Sequence, residues 1–399
     1  MEYEKAKNII LEKTKIINTE YIDLDNAYGR VLAENLVSKI NVPSFRRSPL
    51  DGYCFIASDT DNATKENPVI LDVIEEVPCG EVPTKDIKNG QATKILTGAK
   101  LPNSANCVAP FEIVEIENNK IKIFKKFFDG QNVIFPGEDI KEGTLFAKSG
   151  DIIDIGIIGT MSSLNINKIL VYKKIDIGII STGSELISND EPAVDGKIYN
   201  SNRYVIQSAL AKLNANTKFL GIVRDDLKLL SDSFDEASKD NDIIISTGGV
   251  SVGDYDLVKQ ALINIGVDIM ITGLAMKPGM ACCIGVKNDK LFLCLSGNPM
   301  SALTALYVVC MPAIKKMTGI SNYENQIFKV KLANSFDKIT KADRFLRSKI
   351  DIIDNELMAT LNTGQGNIVI KSMIDCNSFI KIKAGKSAAQ GLLVEAFFL

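Results

Sequence analysis

Ile175-Asp176-Ile177-Gly178-Ile179-Ile180 is a β-branched apolar run that ends in Ser181-Thr182-Gly183-Ser184-Glu185-Leu186, a loop of hydroxyls, one glycine and one carboxylate. Short apolar runs of this kind, bounded by turn residues, read as buried strands. The residues that follow repeat the theme. A helical period over Tyr204–Leu213 is succeeded by a strand over Phe219–Val223, a helix over Leu227–Lys239, a strand over Asp242–Ser246 and a helix over Asp256–Gly266. Further strands are predicted near Asp268–Ile271, Cys282–Val286 and Leu291–Leu295, before a long helix from about Met300 to Met317. Alternation of this kind implies a doubly wound α/β domain around a mostly parallel sheet. Upstream, residues from about Glu4 to Leu36 look helical, and a loop rich in Pro, Ser and Arg covers Val42–Pro49. Between Pro68 and Phe146 short β-type runs (Val69–Ile74, Thr93–Leu96, Cys107–Pro110, Lys120–Phe124) predict a small β-rich module, and short strands return after Gly319.

A chain of 399 residues exceeds one ordinary domain, and 46% hydrophobic with 24% charged residues suits several globular cores. The net charge of −3, without a long basic block, excludes the footprint of a nucleic-acid binder. Closely spaced charges over Met1–Lys15 lack the apolar stretch of a secretory signal. Ala302–Ile314 is shorter than the roughly 20 residues of a spanning helix and contains Pro312, so a buried helix is expected and no membrane partner. Eight cysteines without C-x-x-C spacing read as reduced thiols of a cytoplasmic protein. There is no histidine, which removes Ser-His-Asp triads, Cys-His pairs, His-ligated zinc and imidazole bases together. Chemistry must run on carboxylates, lysines, hydroxyls, backbone dipoles or a bound hard metal.

In open α/β sheets ligands bind beyond the carboxyl ends of the strands. Beside the loop at Ser181–Leu186, the strand ending at Ser246 runs into Thr247-Gly248-Gly249-Val250-Ser251-Val252-Gly253-Asp254-Tyr255-Asp256, and the one ending at Leu295 into Ser296-Gly297-Asn298-Pro299. Adjacent glycines let backbone N–H groups approach an anion, and a following helix N-terminus favours it. Each loop alone reads equally well as a tight turn with a helix cap, as does Asp225-Asp226. Neither a G-x-G-x-x-G fingerprint nor a P-loop is present. The β-rich module adds turns at Ser48–Tyr53, Leu96–Ala99 and Gly137–Ile140, whose carboxylates, with those of the α/β loops, suit Mg²⁺ completed by phosphate oxygens.

The chain resembles the molybdopterin molybdenumtransferase family, which includes bacterial MoeA and the E domain of gephyrin. The matching stretches occur in one order along nearly the whole chain: Pro49–Tyr53, Leu96–Ala99, Gly137–Ile140, Ser181–Leu186, Ile198–Arg203, Arg224–Asp226, Gly248–Asp254, Lys277–Gly279 and Gly297–Pro299. The resemblance implies a multidomain α/β fold in four parts. These are a discontinuous helical domain (1–26 and 140–174), an inserted β-rich module (27–139), the α/β molybdopterin-binding domain (175–320) and a C-terminal β-barrel (321–399). It implies a homodimer in which the α/β domain of one subunit meets the module of the other, with adenylylated molybdopterin and molybdate as substrates and Mg²⁺ for nucleotide release. Carried over residue by residue, Glu185, Asp225 and Asp256 belong to the pterin and metal-ion side, faced by Asp51, Thr97 and Asp139 from the module. Thr182, Gly183, Ser184, Asn200, Gly248, Gly249, Val250 and Ser251 would contact the pterin substrate. Lys277 and the run Ser296, Gly297, Asn298 and Pro299 would line the oxyanion and pterin-phosphate region.

Where relatives commonly place lysines, this chain has Gly273 and Met280, and Ser296 opens a loop that usually begins with proline. Losing two cations implies weaker attraction for molybdate and phosphate. A tungstate-preferring paralogue, a molybdopterin adenylyltransferase and a non-catalytic scaffold of the same fold are the alternatives. The adenylyltransferase normally needs only the α/β domain. In the main reading, an adenylyltransferase supplies the substrate and apo-molybdoenzymes receive the product.

Overall fold

The computed structural model describes residues 1–250 and 257–399. Two compact units are present: Met1–Glu34 with Ser149–Asp154 and Lys168–Leu399, and Asn35–Lys148 with Ile155–Asn167.

The smaller unit is built on a six-stranded sheet in the order Cys107–Pro110, Gly52–Phe55, Gln91–Ile95, Val69–Val77, Lys120–Ile123, Val114–Glu117. Sequence periodicity located four of these strands but treated Asp51-Gly52 as a turn. In fact Gly52–Phe55 is a fully buried strand between two partners. Phe55 and Phe127 meet edge to face at 5.3 Å in its core, beside Ile95, Leu101 and Ile121. Gly52 is required because a Cβ there would run into the Ala109 carbonyl oxygen. Gly52→Ala should therefore destabilise this unit by about 2–4 kcal/mol, since rigid backbone opposes the methyl. A melting curve with unchanged midpoint would contradict this packing.

In the larger unit the opening helix covers only Tyr3–Lys13, not the stretch to Leu36 that the apolar repeat suggested. Thr14 leaves helical geometry, and Thr19–Asp23 becomes a strand antiparallel to Lys168–Tyr172. The β-branched residues of Thr14–Thr19 favour this extension over a continued helix.

The α/β part carries the elements β1 (Ile175–Thr182), α1 (Ser201–Leu210), β2 (Ala215–Val223), α2 (Leu227–Asp240), β3 (Ile243–Thr247) and α3 (Leu257–Asn264). These are followed by β4 (Asp268–Thr272), β5 (Cys282–Lys287), β6 (Lys290–Leu295) and the long helix α4 (Pro299–Met317). The sheet order is β2-β1-β3-β6-β5-β4, parallel except that β5 runs against both neighbours. Ile206 and Leu210 of α1 share one core with α4, while Leu230 and Phe234 of α2 and Val258 and Leu262 of α3 cover the opposite face. The sheet is thus doubly wound. The chain leaves β1 for β2 on one side and returns to β3 on the other, so the crevice between β1 and β3 is where such a fold offers a ligand site.

Helix α4 is buried, with Met300, Leu306, Val309 and Ile314 wholly inaccessible, which makes it a core helix as its length and Pro312 predicted. A π-helical turn at Leu306–Cys310 precedes Pro312, whose ring lacks the N–H that a regular turn would use. Beyond it, Phe328–Leu332, Asp343–Ile353, Glu356–Leu361, Ser378–Ile382 and Leu393–Phe398 form a closed five-stranded barrel, because Asp343–Ile353 pairs with both Glu356–Leu361 and Ser378–Ile382. The two-residue strand Met276–Lys277 adds to the start of Asp343–Ile353, which brings the Lys277-Pro278-Gly279 turn against the barrel.

Candidate functional site

The three loops singled out in the sequence come together at the switch point. Thr182 ends β1 and Gly248 follows β3; a Cβ on Gly248 would strike the Thr182 carbonyl, and one on Gly297 would lie 3.4 Å from the Gly248 Cα. Gly248 donates its N–H to Leu295 O at 3.0 Å, fastening the second loop to β6. Glycine is needed here twice over: Gly248 has φ +100° and Gly249 +67°, in the left-handed region. The result is a shelf of closely approaching backbone at the ends of β1, β3 and β6.

Carboxylates border that shelf. Asp225 accepts from Thr182 Oγ1 at 3.5 Å, from the Ser184 N–H at 3.2 Å and from Ser184 Oγ at 3.4 Å. Glu185 is exposed and folds back so that its oxygens would be 2.7 Å from a Cβ on Gly183. Asn200 caps α1 by accepting from the Arg203 N–H at 3.3 Å and donates to Ser181 Oγ at 2.9 Å, locking the end of β1 to the start of α1. The neighbouring Asn202 donates to Gly297 O at 2.8 Å and ties α1 to the third loop. Val250 is buried against α3. Ser251 and Asp256 lie outside the described residues.

Lys277, Ser296 and Asn298 open into a cleft of about 470 Å³ that the barrel completes. Its barrel side supplies Lys338, Thr340, Arg344 and Gln365–Asn367. Three cations line it and, among the described residues, no carboxylate does. Arg344 stacks 5.0 Å from the Phe336 ring, and its buried Nε has no hydrogen-bond partner. Pro299 occupies the first turn of α4 just outside this lining, as its position in the sequence predicted. The barrel residues escaped the sequence reading. Their only local signals were the basic stretch Lys338–Arg344 and the glycine turn Gly364–Gly366, which look like ordinary loops until the barrel closes beside Lys277.

In the smaller unit, Asp51 accepts from the Thr97 N–H at 2.7 Å and Thr97 Oγ1 at 2.8 Å. These bonds hold its carboxyl below the usual carboxylate range, so it stays ionised at neutral pH. Asp139 is exposed on a different turn, whose backbone is paired to Val42.

Comparison with known proteins agrees with this geometry. The family described as "MoeA N-terminal region (domain I and II)" matches residues 1–165, and the "probable molybdopterin binding domain" matches residues 178–316. A molybdopterin molybdenumtransferase from Bacillus subtilis is 31% identical over 371 residues, covering 92% of this chain and 86% of the relative. One from Staphylococcus aureus is 32% identical over 329 residues, covering 82% and 78%. The crystal structure of the molybdopterin biosynthesis moeA protein from Pyrococcus horikoshii superposes with a TM-score of 0.86 at 29% identity, covering 100% of both chains. The likeness spans the modules flanking the α/β domain as well, which an adenylyltransferase does not need. With its loops, cleft and flanking modules all in the expected order, the chain belongs to the MoeA family of molybdopterin molybdenumtransferases.

Proposed function

We propose that this chain inserts molybdenum into adenylylated molybdopterin with release of AMP, as a Mg²⁺-dependent cytoplasmic homodimer. The observation that carries the reading is the cleft with Lys277, Lys338 and Arg344, free of lining carboxylates among the described residues and adjoining the glycine-rich shelf. A tetrahedral oxyanion needs such a cationic seat, and a pterin phosphate needs exposed backbone N–H groups.

The donor set suits Mg²⁺. Glu185 and Asp225 border the same turn with hard oxygen ligands, and Asp256, outside the described residues, would add a third. Among the described residues no three acidic or thiol side chains are placed to hold a metal ion together, so substrate phosphate oxygens and water would complete six-fold coordination. When bound, the ion supplies charge neutralisation on the phosphoanhydride. The chain's own residues do the rest. Ser184 and Thr182 fix the Asp225 carboxylate by donating to it, the shelf admits the pterin phosphate, and Asp51 offers a carboxylate from the module that is ionised at neutral pH. Replacing Mg²⁺ by a chelator should stop AMP release; undiminished release would contradict this assignment.

The homodimer has support in the smaller unit. Helix Ile155–Ser163 is apolar, yet only Met161 is buried, and Ile155 is 83% exposed. An apolar helix left in water is the kind of surface that a second subunit covers. An adenylyltransferase as donor and apo-molybdoenzymes as acceptors complete the proposed partners.

The position of Met280 yields a prediction. It is 48% exposed on the rim of the cleft, not packed in the core. Met280→Lys should lower the half-saturating molybdate concentration a few-fold, about 1 kcal/mol or less for a partly exposed charge, and the gain should shrink with salt. Gly273 behaves differently: at φ +82° a lysine would be strained, so Gly273→Lys should lower the melting point without that gain. A molybdate titration of Met280→Lys with unchanged half-saturation would remove Met280 from the anion's surroundings.

A further inference from the structure

Lys277 and Arg344 are neighbours through strand pairing. The two-residue strand Met276–Lys277 runs parallel to the start of Asp343–Ile353, with Met276 opposite Asp343 and Lys277 opposite Arg344, and both cations line the cleft. Paired strands lie about 4.8 Å apart, so the two charges stand side by side, and like charges directly opposite one another destabilise a pairing. Only two rungs oppose that repulsion. One residue away is an anchor: Asp343 Oδ1 accepts from the Ala384 N–H at 2.9 Å, while its Oδ2 accepts from Tyr3 Oη at 3.5 Å and pairs with Lys381 Nζ at 3.5 Å. Lys381 also pairs with Glu395 at 3.5 Å and lies 5.3 Å from the centre of the Tyr3 ring. Tyr3 opens the helix Tyr3–Lys13, is buried, and meets Phe345 edge to face at 5.2 Å.

An ion pair in open solvent would hold little, but only 24% of the Asp343 side chain and 20% of the Lys381 side chain are exposed, so water and salt screen them weakly. Along the strand, Asp343 and Phe345 face the helix while Arg344 faces the cleft. We propose that Asp343, held by Lys381 and Tyr3, is a positioning residue for Lys277 and Arg344: it fixes the start of the barrel strand against Met276–Lys277 and so sets the spacing at which two cations meet one dianion. This rests on the reading of the cleft as the oxyanion seat. A tetrahedral dianion between the two cations relieves their repulsion, and the anchor keeps the strands paired until it arrives. Asp343 lies outside the cleft lining and acts through the strand, whereas Lys277 and Arg344 line the cleft themselves.

The test uses the full chain, with molybdate titrated at equilibrium and in the insertion assay for Asp343→Asn, Lys381→Met, Tyr3→Phe and the control Arg344→Gln. Asp343→Asn keeps an oxygen for the Ala384 N–H, and Lys381→Met keeps the apolar stem. The sign of the change separates positioning from charge alone. Charge alone predicts that removing a carboxylate beside the cleft tightens molybdate and that removing a lysine loosens it. Positioning predicts that both changes raise half-saturating molybdate, by about three- to tenfold, with turnover at saturating molybdate near that of the parent. Tyr3→Phe keeps the ring on Phe345 and loses only the hydroxyl, so it should move the same way by less, and it decides the matter if Asp343→Asn fails to fold. Tighter or unchanged molybdate in the deciding variant, while Arg344→Gln loses molybdate, would overturn the positioning role alone. If Arg344→Gln also titrates like the parent, the oxyanion reading of the cleft fails, and the proposal with it.

Discussion

Glu185→Gln should leave the melting curve where it is and lower AMP release by about 100- to 1,000-fold, the usual loss when one preorganised electrostatic group is removed. The side chain is exposed on a loop, and surface changes of this kind stay within about 0.5 kcal/mol. What the amide lacks is charge, next to Asp225, whose own carboxylate is already fixed by Thr182 and Ser184. The Asp256→Asn protein is expected to behave alike. Circular dichroism and a nucleotide-release assay with and without added Mg²⁺ measure both parts. Parent-like turnover with parent-like Mg²⁺ dependence would reduce Glu185 to a loop carboxylate without a role in the reaction.

Mixing two inactive chains should restore activity if each site takes its halves from two subunits. Asp51→Ala spoils the module and Glu185→Ala the α/β loop, so a hybrid dimer keeps one intact site of two. Random pairing makes half of the dimers hybrids, which predicts about a quarter of the parent activity from an equimolar mixture. Either variant alone should give almost none. If the apolar helix Ile155–Ser163 is the surface on which the proposed dimer forms, a charge at Gly159, whose Cβ position is open, should shift the chain toward monomer and abolish the recovery. Mixed dimers that form and recover nothing would refute the shared site.

The α/β part was the most legible in the sequence because β1, β3 and β6 are buried on both faces and stand out as continuous apolar runs between polar loops. Their ends therefore pointed correctly to Thr182, Gly248 and Gly297 as neighbours. The same logic failed at Gly52–Phe55, a four-residue strand preceded by Asp51, where turn chemistry masked a central position. It failed at Leu36 too, since an apolar repeat does not distinguish a long helix from one that stops at Lys13 and continues as strand. The cationic cleft was half legible. Lys277 and Ser296 announced themselves by their loops, but Lys338, Arg344 and Asn367 reach the cleft only through barrel closure and the short pairing of Met276–Lys277 with Asp343–Arg344. Contacts set by such long-range pairing leave no local periodicity to read.

Metal insertion itself is measured by single-turnover incubation of the purified chain with adenylylated molybdopterin, Mg²⁺ and molybdate, with AMP release and pterin-bound molybdenum quantified together. The two should appear in equal amounts, both requiring Mg²⁺ and both saturating with molybdate. AMP released without metal entering the pterin, or metal uptake that ignores the loss of Arg344, would contradict it.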